Sequence, residues 1–229
     1  MNTAIILAAG KGTRMNAGIN KLFMLLNNKP LLAQTLEAFN NCKAIDNIIL
    51  VAGREELQLC KEQILDPYGF DKVDKLVCGG SERQQSVFNG IKELGENCSV
   101  VAIHDGARPI ITEDVIERCI EGARVYGAVS AGVPAKETIK LINEESFVEY
   151  TPERGRVWIT QTPQAFKSDI LKKAHEIAAA EGISSTDDAS LVERMGIKVK
   201  MIEGSYENIK VTTPEDIIIA ETIIGKRTE

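Results

Sequence analysis

The sequence has no excess of basic side chains. Across 229 residues, 27 Lys and Arg residues stand against 33 Asp and Glu residues, which gives a net charge of −6 and a pI near 5.2. Proteins that bind nucleic acid usually carry a clear excess of Lys and Arg. The composition therefore argues against a nucleic-acid partner. A small anionic ligand remains compatible with it, because such a ligand needs only a local group of cations and helix N-termini.

Cysteine pairs at metal-binding or redox spacing are also missing. The five cysteines, an odd number, lie at positions 42, 60, 78, 98 and 119 and form no Cys-x-x-Cys pair. Neither a disulfide framework nor a zinc knuckle is supported, and a reducing cytoplasm fits best. The first apolar stretch is too short to span a membrane and no basic segment precedes it, so we expect no membrane association.

What the sequence does contain is a repeated alternation of strand-like and helix-like segments. The hydrophobic fraction of 44% is ordinary for a globular protein. The alternation predicts an α/β fold, a Rossmann-like and mostly parallel sheet with helices on both faces, in a single domain over residues 1–229. The predicted strands are 4–9, 47–52, 75–78, 100–104 and 128–133, and the predicted helices are 30–40, 54–64, 84–93 and 112–126.

One segment departs from this alternation. Residues 137–166 contain short alternating runs and turn residues without a helical period, which predicts a β-hairpin that projects from the sheet. Two interpretations stay open. The hairpin is either a decorative insertion or, at about residues 137–160, a β-arm that reaches a neighbouring subunit.

The loop after the first strand is rich in glycine but matches neither common phosphate-binding motif. Gly10 and Gly12 would let the backbone approach a ligand closely. The dinucleotide fingerprint fails because Met15 occupies the place of its third glycine. The P-loop pattern fails because Lys11 is not followed by Ser or Thr, and because Ile5 stands where its first glycine should be.

Two cations accompany this loop. Arg14 lies within it and Lys21 follows seven positions later, so both could converge on a triphosphate. The alternative is an ordinary strand-to-helix turn with two solvated charges, and the loop alone does not decide between them.

The loop as a whole resembles a known signature. Ala8-Ala9-Gly10-x-Gly12-x-Arg14-Met15, followed by Lys21, looks like the motif of nucleoside-triphosphate transferases that activate sugars and polyols. Within that superfamily the sequence is similar to the 2-C-methyl-D-erythritol 4-phosphate cytidylyltransferases of the non-mevalonate isoprenoid pathway. The similarity runs from Ala4 to about Ile224 in six separated motifs. One departure is Asn20, where many members carry proline, which puts the rigidity of the loop in question.

The resemblance implies a reaction and an assembly. The substrates would be CTP and a polyol phosphate, the cofactor Mg²⁺ or another divalent cation, and the assembly a homodimer whose β-arms complete the sites. The acceptor phosphate would attack the α-phosphorus of CTP in line and release pyrophosphate. The residues implied as catalytic are Arg14, Lys21 and Lys210, and those implied in the loop as nucleotide-binding are Ala8, Ala9, Gly10 and Gly12.

A second glycine pair opens a predicted helix. In the family the segment with Gly79, Gly80 and Ser86 lines the cytosine pocket, where carbonyl groups accept from the base amino group and Ser86 supplies a hydroxyl. A helix N-terminus capped by Ser81 is the plainer interpretation, and the two are compatible.

Asp105 follows directly on a predicted central strand, at the edge where α/β folds bind ligands. A single carboxylate there suits Mg²⁺, which shares its coordination with waters and substrate phosphates. The resemblance adds acceptor binding by Asp105 and Arg108. The alternative is a salt bridge between these two residues that fixes the turn. We expect His104 to be structural and His175 to lie on the surface.

The remaining candidates come from the arm and the C-terminal third. The resemblance implies that Thr138, Arg154 and Thr162, assigned to the arm, hold the acceptor phosphate across a dimer interface; a solvated hairpin is the alternative. Thr186 reads locally as a helix cap, with an implied contact to acceptor hydroxyls. Lys210 lies on a predicted strand before a helix that begins near Pro214.

Two other functions stay open at this point. Ribitol 5-phosphate cytidylyltransferases share the loop and the fold, and a CTP-binding module without turnover would share the pocket. Ala8-Ala9-Gly10, the motif from His104 to Pro109 and the arm around Arg154 favour the methylerythritol enzyme. The presence of all the implied charged residues favours an enzyme over a binding module.

Overall fold

A seven-stranded sheet forms the centre of the protein. The computed structural model describes residues 1–10 and 20–228. In this part of the chain the strands are β1 (Asn2–Ala8), β2 (Leu25–Leu26), β3 (Lys29–Pro30), β4 (Asn47–Ala52), β5 (Val73–Cys78), β6 (Val100–Asp105), β7 (Ala128–Pro134), β8 (Leu141–Ile142), β9 (Val148–Tyr150), β10 (Trp158–Lys167) and β11 (Lys200–Glu203). The helices are α1 (Leu31–Asn41), α2 (Leu57–Cys60), α3 (Asp66–Tyr68), α4 (Arg83–Lys92), α5 (Glu113–Tyr126), α6 (Ser168–Glu181), α7 (Asp188–Arg194) and α8 (Pro214–Thr228).

The strand order of the central sheet is β11-β7-β10-β6-β1-β4-β5. Within this sheet β10 alone runs antiparallel to its neighbours β6 and β7. The other pairings, such as β1 with β4 and β1 with β6, are parallel. The expected α/β class with a mostly parallel sheet is therefore confirmed.

Helices cover both faces of the sheet, because alternate residues of each buried strand point to opposite sides. On one face α1, α5 and α8 pack over the strand residues Ala4, Ile6 and Leu50. On the other face α4, α6 and α7 pack over Ile5 and Val51. Strands buried on both faces read as continuous apolar runs, which explains why these segments could be recognised. No helix in the described part of the chain is long and apolar enough to cross a membrane.

The predicted helix over residues 54–64 is irregular. It begins as a short 3₁₀ turn at Arg54–Glu56, widens into a π-helical turn at Lys61–Leu65 and continues to Tyr68. Pro67 has no N–H to donate to the carbonyl four residues earlier, and its ring crowds that carbonyl, so the backbone ahead of it widens. The segment ends at Gly69, which has a left-handed φ of 57°.

The projecting hairpin consists of β8 and β9, which pair antiparallel with each other and with no other strand described here. Residues 158–160, expected in the arm, instead belong to β10 of the central sheet. Apolar side chains of the hairpin are exposed by half or more: Leu141, Ile142, Phe147, Val148 and Tyr150.

The carboxyl ends of β1 and β6 form the edge where a ligand site is expected. From β1 the chain crosses to β4 and β5 on one side and then returns to β6 on the other, so the order reverses between β1 and β6. Parallel sheets bind ligands in the crevice at such a point. Leu7 pairs with Asp105 in this register. At Gly106 an added Cβ would lie 2.8 Å from the Leu7 carbonyl oxygen, so this turn needs glycine.

The packing of α4 on the sheet can be tested at Gly90. A Cβ at this position would lie 2.8 Å from Ile5 Cγ2 and 3.2 Å from Val51 Cγ2. We expect Gly90→Ala to lower the free energy of unfolding by about 1–3 kcal/mol, because overpacking outweighs the gain in helix propensity. The matched control is Gly225→Ala in α8, where an added Cβ meets no atom within 4 Å. Urea unfolding of both variants checks this; stabilisation of both would contradict the packing described.

Candidate active site

A cavity of about 410 Å³ lies at the crevice between β1 and β6. The first strand, the turn before α4, the end of β6 and the loop before α8 all contribute to its wall. Its lining residues are Leu7, Ala9, Gly10, Lys21, Leu22, Gly80, Ser81, Glu82, Arg83, Ser86, Asp105, Ala107 and Lys210.

Asp105 lies among three cations in this cavity, and we call these four residues the Asp105 cluster. Lys210 Nζ is 2.9 Å from Asp105 Oδ2, and Arg108 Nε is 3.5 Å from the same oxygen. Arg83 Nε is 3.7 Å from Oδ1. The cluster thus holds two more positive than negative charges, which suits an anionic ligand.

The cluster keeps Asp105 ionised. Burial alone would raise the pKa of its carboxyl group, but the charges of Lys210, Arg83 and Arg108 together hold that pKa well below its ordinary value. Opposite charges within a few ångströms favour the ionised form in this way. A carboxylate that is ionised at neutral pH is therefore present at the end of β6.

A bulge in β10 brings Thr162 against Asp105. The register of β10 on β7 shifts between Thr160 and Gln164, and bulges of this kind re-aim side chains beside active sites. The backbone N–H of Asp105 donates to Thr162 Oγ1 at 3.1 Å. The Thr162 residue expected in the arm therefore lies in the central sheet, behind the cluster, which corrects the sequence-based placement.

His104 completes this layer as a structural residue, as expected. Burial lowers its pKa to about 3, so the ring is neutral at physiological pH. Its Nε2 lies 3.3 Å from the Arg108 carbonyl oxygen and its Nδ1 lies 3.1 Å from Thr162 Oγ1. A carbonyl oxygen can only accept, so Nε2 carries the proton and the Thr162 hydroxyl donates to Nδ1.

The buried side chain of Asn208 anchors the loop that carries Lys210. Its Nδ2 donates to the Thr162 carbonyl at 2.9 Å, and the backbone carbonyl of Asn208 accepts from Arg108 Nη1 at 2.8 Å. The loop is thus fixed two residues before Lys210 and also one residue after it, because the Val211 N–H donates to the Ala107 carbonyl. This segment was expected to be a strand, but it pairs with no strand in the described structure; α8 does begin at Pro214.

Lys21 approaches the cluster from the first loop. Its Nζ donates to the Val211 carbonyl at 2.7 Å, next to Lys210 in sequence. Asn20 stabilises this approach because its side chain accepts from the Leu22 N–H and donates to the Gly10 carbonyl and Glu56 Oε1. Hydrogen bonds of Asn20 thereby restrain the backbone at this position.

The opposite wall is formed by the turn before α4. A Cβ on Gly79 would lie 2.4 Å from Ala9 Cβ, so only glycine allows β5 to end this close to β1. Ser86 Oγ accepts from the Gly80 N–H and donates to the Glu82 carbonyl, each at 3.0 Å. The expected Ser81 cap is wrong: Glu82 is the capping residue and makes no side-chain cap hydrogen bond, while Ser81 bonds to Gln85.

Comparison with known proteins now decides the family. A model of the family described as 2-C-methyl-D-erythritol 4-phosphate cytidylyltransferase matches residues 2–226. The chain belongs to this family.

Relatives with a named function match this chain over nearly its full length. The chain is 46% identical over 224 residues to the 2-C-methyl-D-erythritol 4-phosphate cytidylyltransferase of Caldanaerobacter subterraneus subsp. tengcongensis, covering 98% of this chain and 99% of that protein. It is 52% identical over 225 residues to the protein of the same name from Alkaliphilus metalliredigens, covering 98% and 93%. The fold is similar to the crystal structure of 4-diphosphocytidyl-2C-methyl-D-erythritol synthase from Anaerococcus prevotii, with a TM-score of 0.87 at 35% identity over 98% of this chain and 96% of that one. Membership of a cytidylyltransferase family confirms the expectation of an enzyme.

The structure brings together most of the residues that the sequence predicted for the active site of this cytidylyltransferase. Ala8 ends β1 beneath the cavity, Gly79 stands behind Gly80, and Arg108 flanks Asp105. The Asp105–Arg108 salt bridge is present as well. Gly12 and Arg14 lie outside the described residues. The predicted residues that line the cavity directly are Ala9, Gly10, Lys21, Gly80, Ser86, Asp105 and Lys210.

Three of the described predicted residues are exposed and do not line this cavity. Thr138 and Arg154 are exposed on the arm. Thr186 is exposed in the loop before α7, and the cap of α7 is Asp187, which accepts from the Ser190 N–H. Thr186 as a helix cap is therefore wrong. Both residue types cap helices well, and Asp187 holds the position one residue later.

Sequence reasoning missed Arg83 and misplaced His175. Arg83 lines the cavity, and its signal was a cation in the first turn of a helix, where the helix dipole disfavours positive charge. His175, expected at the surface, is 1% exposed and contacts Asp188. Its position four residues after the buried Leu171 on α6 was the available signal.

The pH dependence of stability tests the state of Asp105. Because its folded-state pKa is depressed, the ionised group stabilises the fold fully above its unfolded-state pKa of about 3.9, and this contribution is lost as the pH falls through the folded-state pKa. We expect Asp105→Asn to unfold more easily than the wild type at pH 7 and the difference to shrink from pH 5 to pH 2. Denaturant unfolding across that range measures it. A difference that stays constant with pH would contradict an ionised Asp105 stabilised by its three cations.

Proposed function

We propose that this protein transfers the cytidylyl group of CTP to 2-C-methyl-D-erythritol 4-phosphate. An oxygen of the acceptor phosphate attacks the α-phosphorus of CTP, a new P–O bond forms, the bond between the α-phosphorus and the bridging oxygen breaks, and pyrophosphate leaves. The observation that carries the proposal is the Asp105 cluster at the switch point of a fold that belongs to the cytidylyltransferase family.

The cavity suggests a division of labour between its two walls. The turn around Gly80 and Ser86 offers backbone N–H and carbonyl groups, which suits hydrogen bonding to a pyrimidine base. The opposite side, with Lys21, Asp105 and Lys210, offers charge for the phosphates. In-line transfer requires the attacking oxygen of the acceptor phosphate to lie opposite the leaving pyrophosphate across the α-phosphorus.

Catalysis then requires positioning and charge stabilisation rather than a strong base. A phosphate monoester has a second pKa of about 6, so the acceptor oxygen is already ionised at neutral pH. Lys21 and Lys210 approach the same cavity, and the proposal assigns them, with Arg14, to the negative charge that develops around the α-phosphorus.

The site fits a magnesium ion carried by the nucleotide. Mg²⁺ prefers oxygen ligands and keeps waters and substrate phosphates in its shell, so one ionised carboxylate suffices. Asp105 is held ionised by its neighbours and is the residue that would hold the ion. When bound, Mg²⁺ would neutralise charge on the triphosphate and the leaving pyrophosphate.

The exposed arm supports a homodimer. Phe147 is 67% exposed, and its apolar neighbours on β8 and β9 are similarly open to solvent. An apolar surface of this kind usually marks an interaction site. We propose that a second copy of the chain covers it, and that Thr138 and Arg154 then bind the acceptor phosphate in the partner's site.

The same proposal treats residues 1–229 as one catalytic domain. It also places the protein in the cytoplasm, where its five thiols would stay reduced.

Substrate choice tests the proposed function directly. Pyrophosphate release is measured with CTP and Mg²⁺ and with either 2-C-methyl-D-erythritol 4-phosphate or ribitol 5-phosphate. We expect turnover with the methylerythritol acceptor and little with ribitol 5-phosphate. Turnover with ribitol 5-phosphate alone would contradict the proposed acceptor. Binding of CTP without turnover on either acceptor would show that the protein is a binding module.

Lys21→Ala tests the assignment of charge to the transition state. Because the charge matters most when the α-phosphoryl group is being transferred, we expect kcat to fall by about 10²–10³-fold with a smaller change in the KM for CTP. The control is Lys61→Ala, which removes an exposed lysine from the helical segment before Gly69. Unchanged kcat in Lys21→Ala would defeat the assignment.

Arg154→Ala tests the role of the arm. Loss of a charge-assisted hydrogen bond to phosphate should raise the KM for the acceptor by about ten-fold or more, while the KM for CTP stays close to that of the wild type. Arg156→Ala is the matched control, because Arg156 is exposed on the same short 3₁₀ turn. An effect on CTP alone, or equal effects of both substitutions, would contradict the role given to Arg154.

A further inference from the structure

A buried carboxylate lies behind the cavity and contacts one of its cations. Arg83 Nη1 donates to Asp188 Oδ2 at 2.8 Å, while Arg83 Nε faces Asp105 Oδ1 at 3.7 Å. The side chain of Asp188 is 1% exposed and that of Arg83 is 27% exposed. One guanidinium group thus lies between a carboxylate of the cavity and a carboxylate of the core.

Asp188 is held in a fixed orientation and an ionised state. Its Oδ1 lies 3.0 Å from Nε2 of the buried His175, and its backbone N–H donates to Gln164 Oε1 on β10. Burial would raise the pKa of the Asp188 carboxyl group, but the charge of Arg83 and the hydrogen bond from His175 lower it below its ordinary value. Both carboxylate oxygens therefore have partners, and rotation of the group would break one contact or the other.

A purely stabilising role accounts poorly for this arrangement. Buried ion pairs lose much of their attraction to the cost of desolvation, and apolar side chains can often replace them without loss of stability. Here the cation of the pair also lines the cavity. Among the described residues its guanidinium donates one hydrogen bond, to Asp188, so other N–H groups stay available to a ligand.

We propose that Asp188 is a positioning residue for the transfer reaction, which holds the Arg83 guanidinium at the cavity wall beside Asp105 while His175 fixes the orientation of Asp188. The proposal rests on the function proposed above. It assigns no chemistry to Asp188 or His175, since neither lines the cavity that holds Asp105. The side chain that meets the substrates is Arg83.

The first experiment compares two neighbouring isosteric substitutions. Asp188→Asn removes the charge that orients Arg83, and we expect kcat/KM for CTP to fall by about ten-fold or more, as for other second-layer partners of functional groups. Asp187→Asn is the matched control: Asp187 opens the same helix but bonds to Gln164 and Ser190 rather than to Arg83. Equal losses in the two variants would mean that the start of α7 matters only structurally, which would overturn the proposal.

The second experiment repeats Asp188→Asn in an Arg83→Gln background. If Asp188 acts through Arg83, the substitution should cost no further activity once Arg83 is gone. CTP labelled at the α-phosphate and long incubations extend the assay to the low activity expected there. A loss as large as in the wild-type background would show that Asp188 acts by another route and would overturn the proposal.

Thermal unfolding of the wild type, Asp188→Asn, Arg83→Gln and the double variant separates an effect on positioning from an effect on folding. Arg83→Gln leaves a buried carboxylate without its cation, so we expect its Tm to fall and Asp188→Asn to restore part of that loss. Activity should not recover with stability, because the positioned guanidinium is absent from the double variant. Recovery of activity together with Tm would overturn the proposal. Absence of turnover in the wild type with both acceptors is a different outcome, which would reject the proposed function itself.

Discussion

The architecture of the site depends on one carboxylate that three cations share. Asp105 ends a fully buried strand, and Arg83, Arg108 and Lys210 reach it from three different parts of the chain. A buried carboxylate without these partners would be protonated or would destabilise the fold. Three cations this close would in turn repel one another without the carboxylate. The cluster is therefore stable as a unit, and its surplus of positive charge is what an incoming triphosphate and a phosphate acceptor would meet.

The fold places these side chains by a series of local constraints. The reversal of strand order between β1 and β6 opens the crevice, and Gly106 and Gly79 allow its walls to approach β1 closely. The bulge in β10 brings Thr162 to the backbone of Asp105, and Asn208 ties the loop of Lys210 to Thr162. Each constraint uses backbone groups or buried polar side chains, whose geometry is much less variable than that of exposed charges. The charges at the cavity are therefore held by a rigid second layer, to which Asp188 belongs on the side of Arg83.

The sequence predicted the parts of this arrangement that are encoded locally. The strand over residues 47–52 was visible because burial on both faces demands a continuous apolar run, and Asp105 was visible because it follows such a run directly. Long-range contacts were not visible. Thr162 was assigned to the arm because alternation continues through β10 without a break, and His175 was placed at the surface because its partner lies on another helix. Arg83 was overlooked because its two carboxylates are separated from it by 22 and 105 residues, and no local pattern encodes such contacts.

The most direct test of the account is the ionisation state of Asp105 itself. Carbon-13 NMR of aspartate-labelled protein identifies the Asp105 carboxyl signal as the one that disappears in Asp105→Asn. This signal is then followed in the absence of nucleotide as the pH is lowered from 7 to 2. We predict that this signal keeps the chemical shift of an ionised carboxylate at pH values well below the ordinary aspartate pKa of about 3.9. A titration midpoint at or above that value would show that the three cations do not hold the carboxylate ionised, and it would contradict the site described.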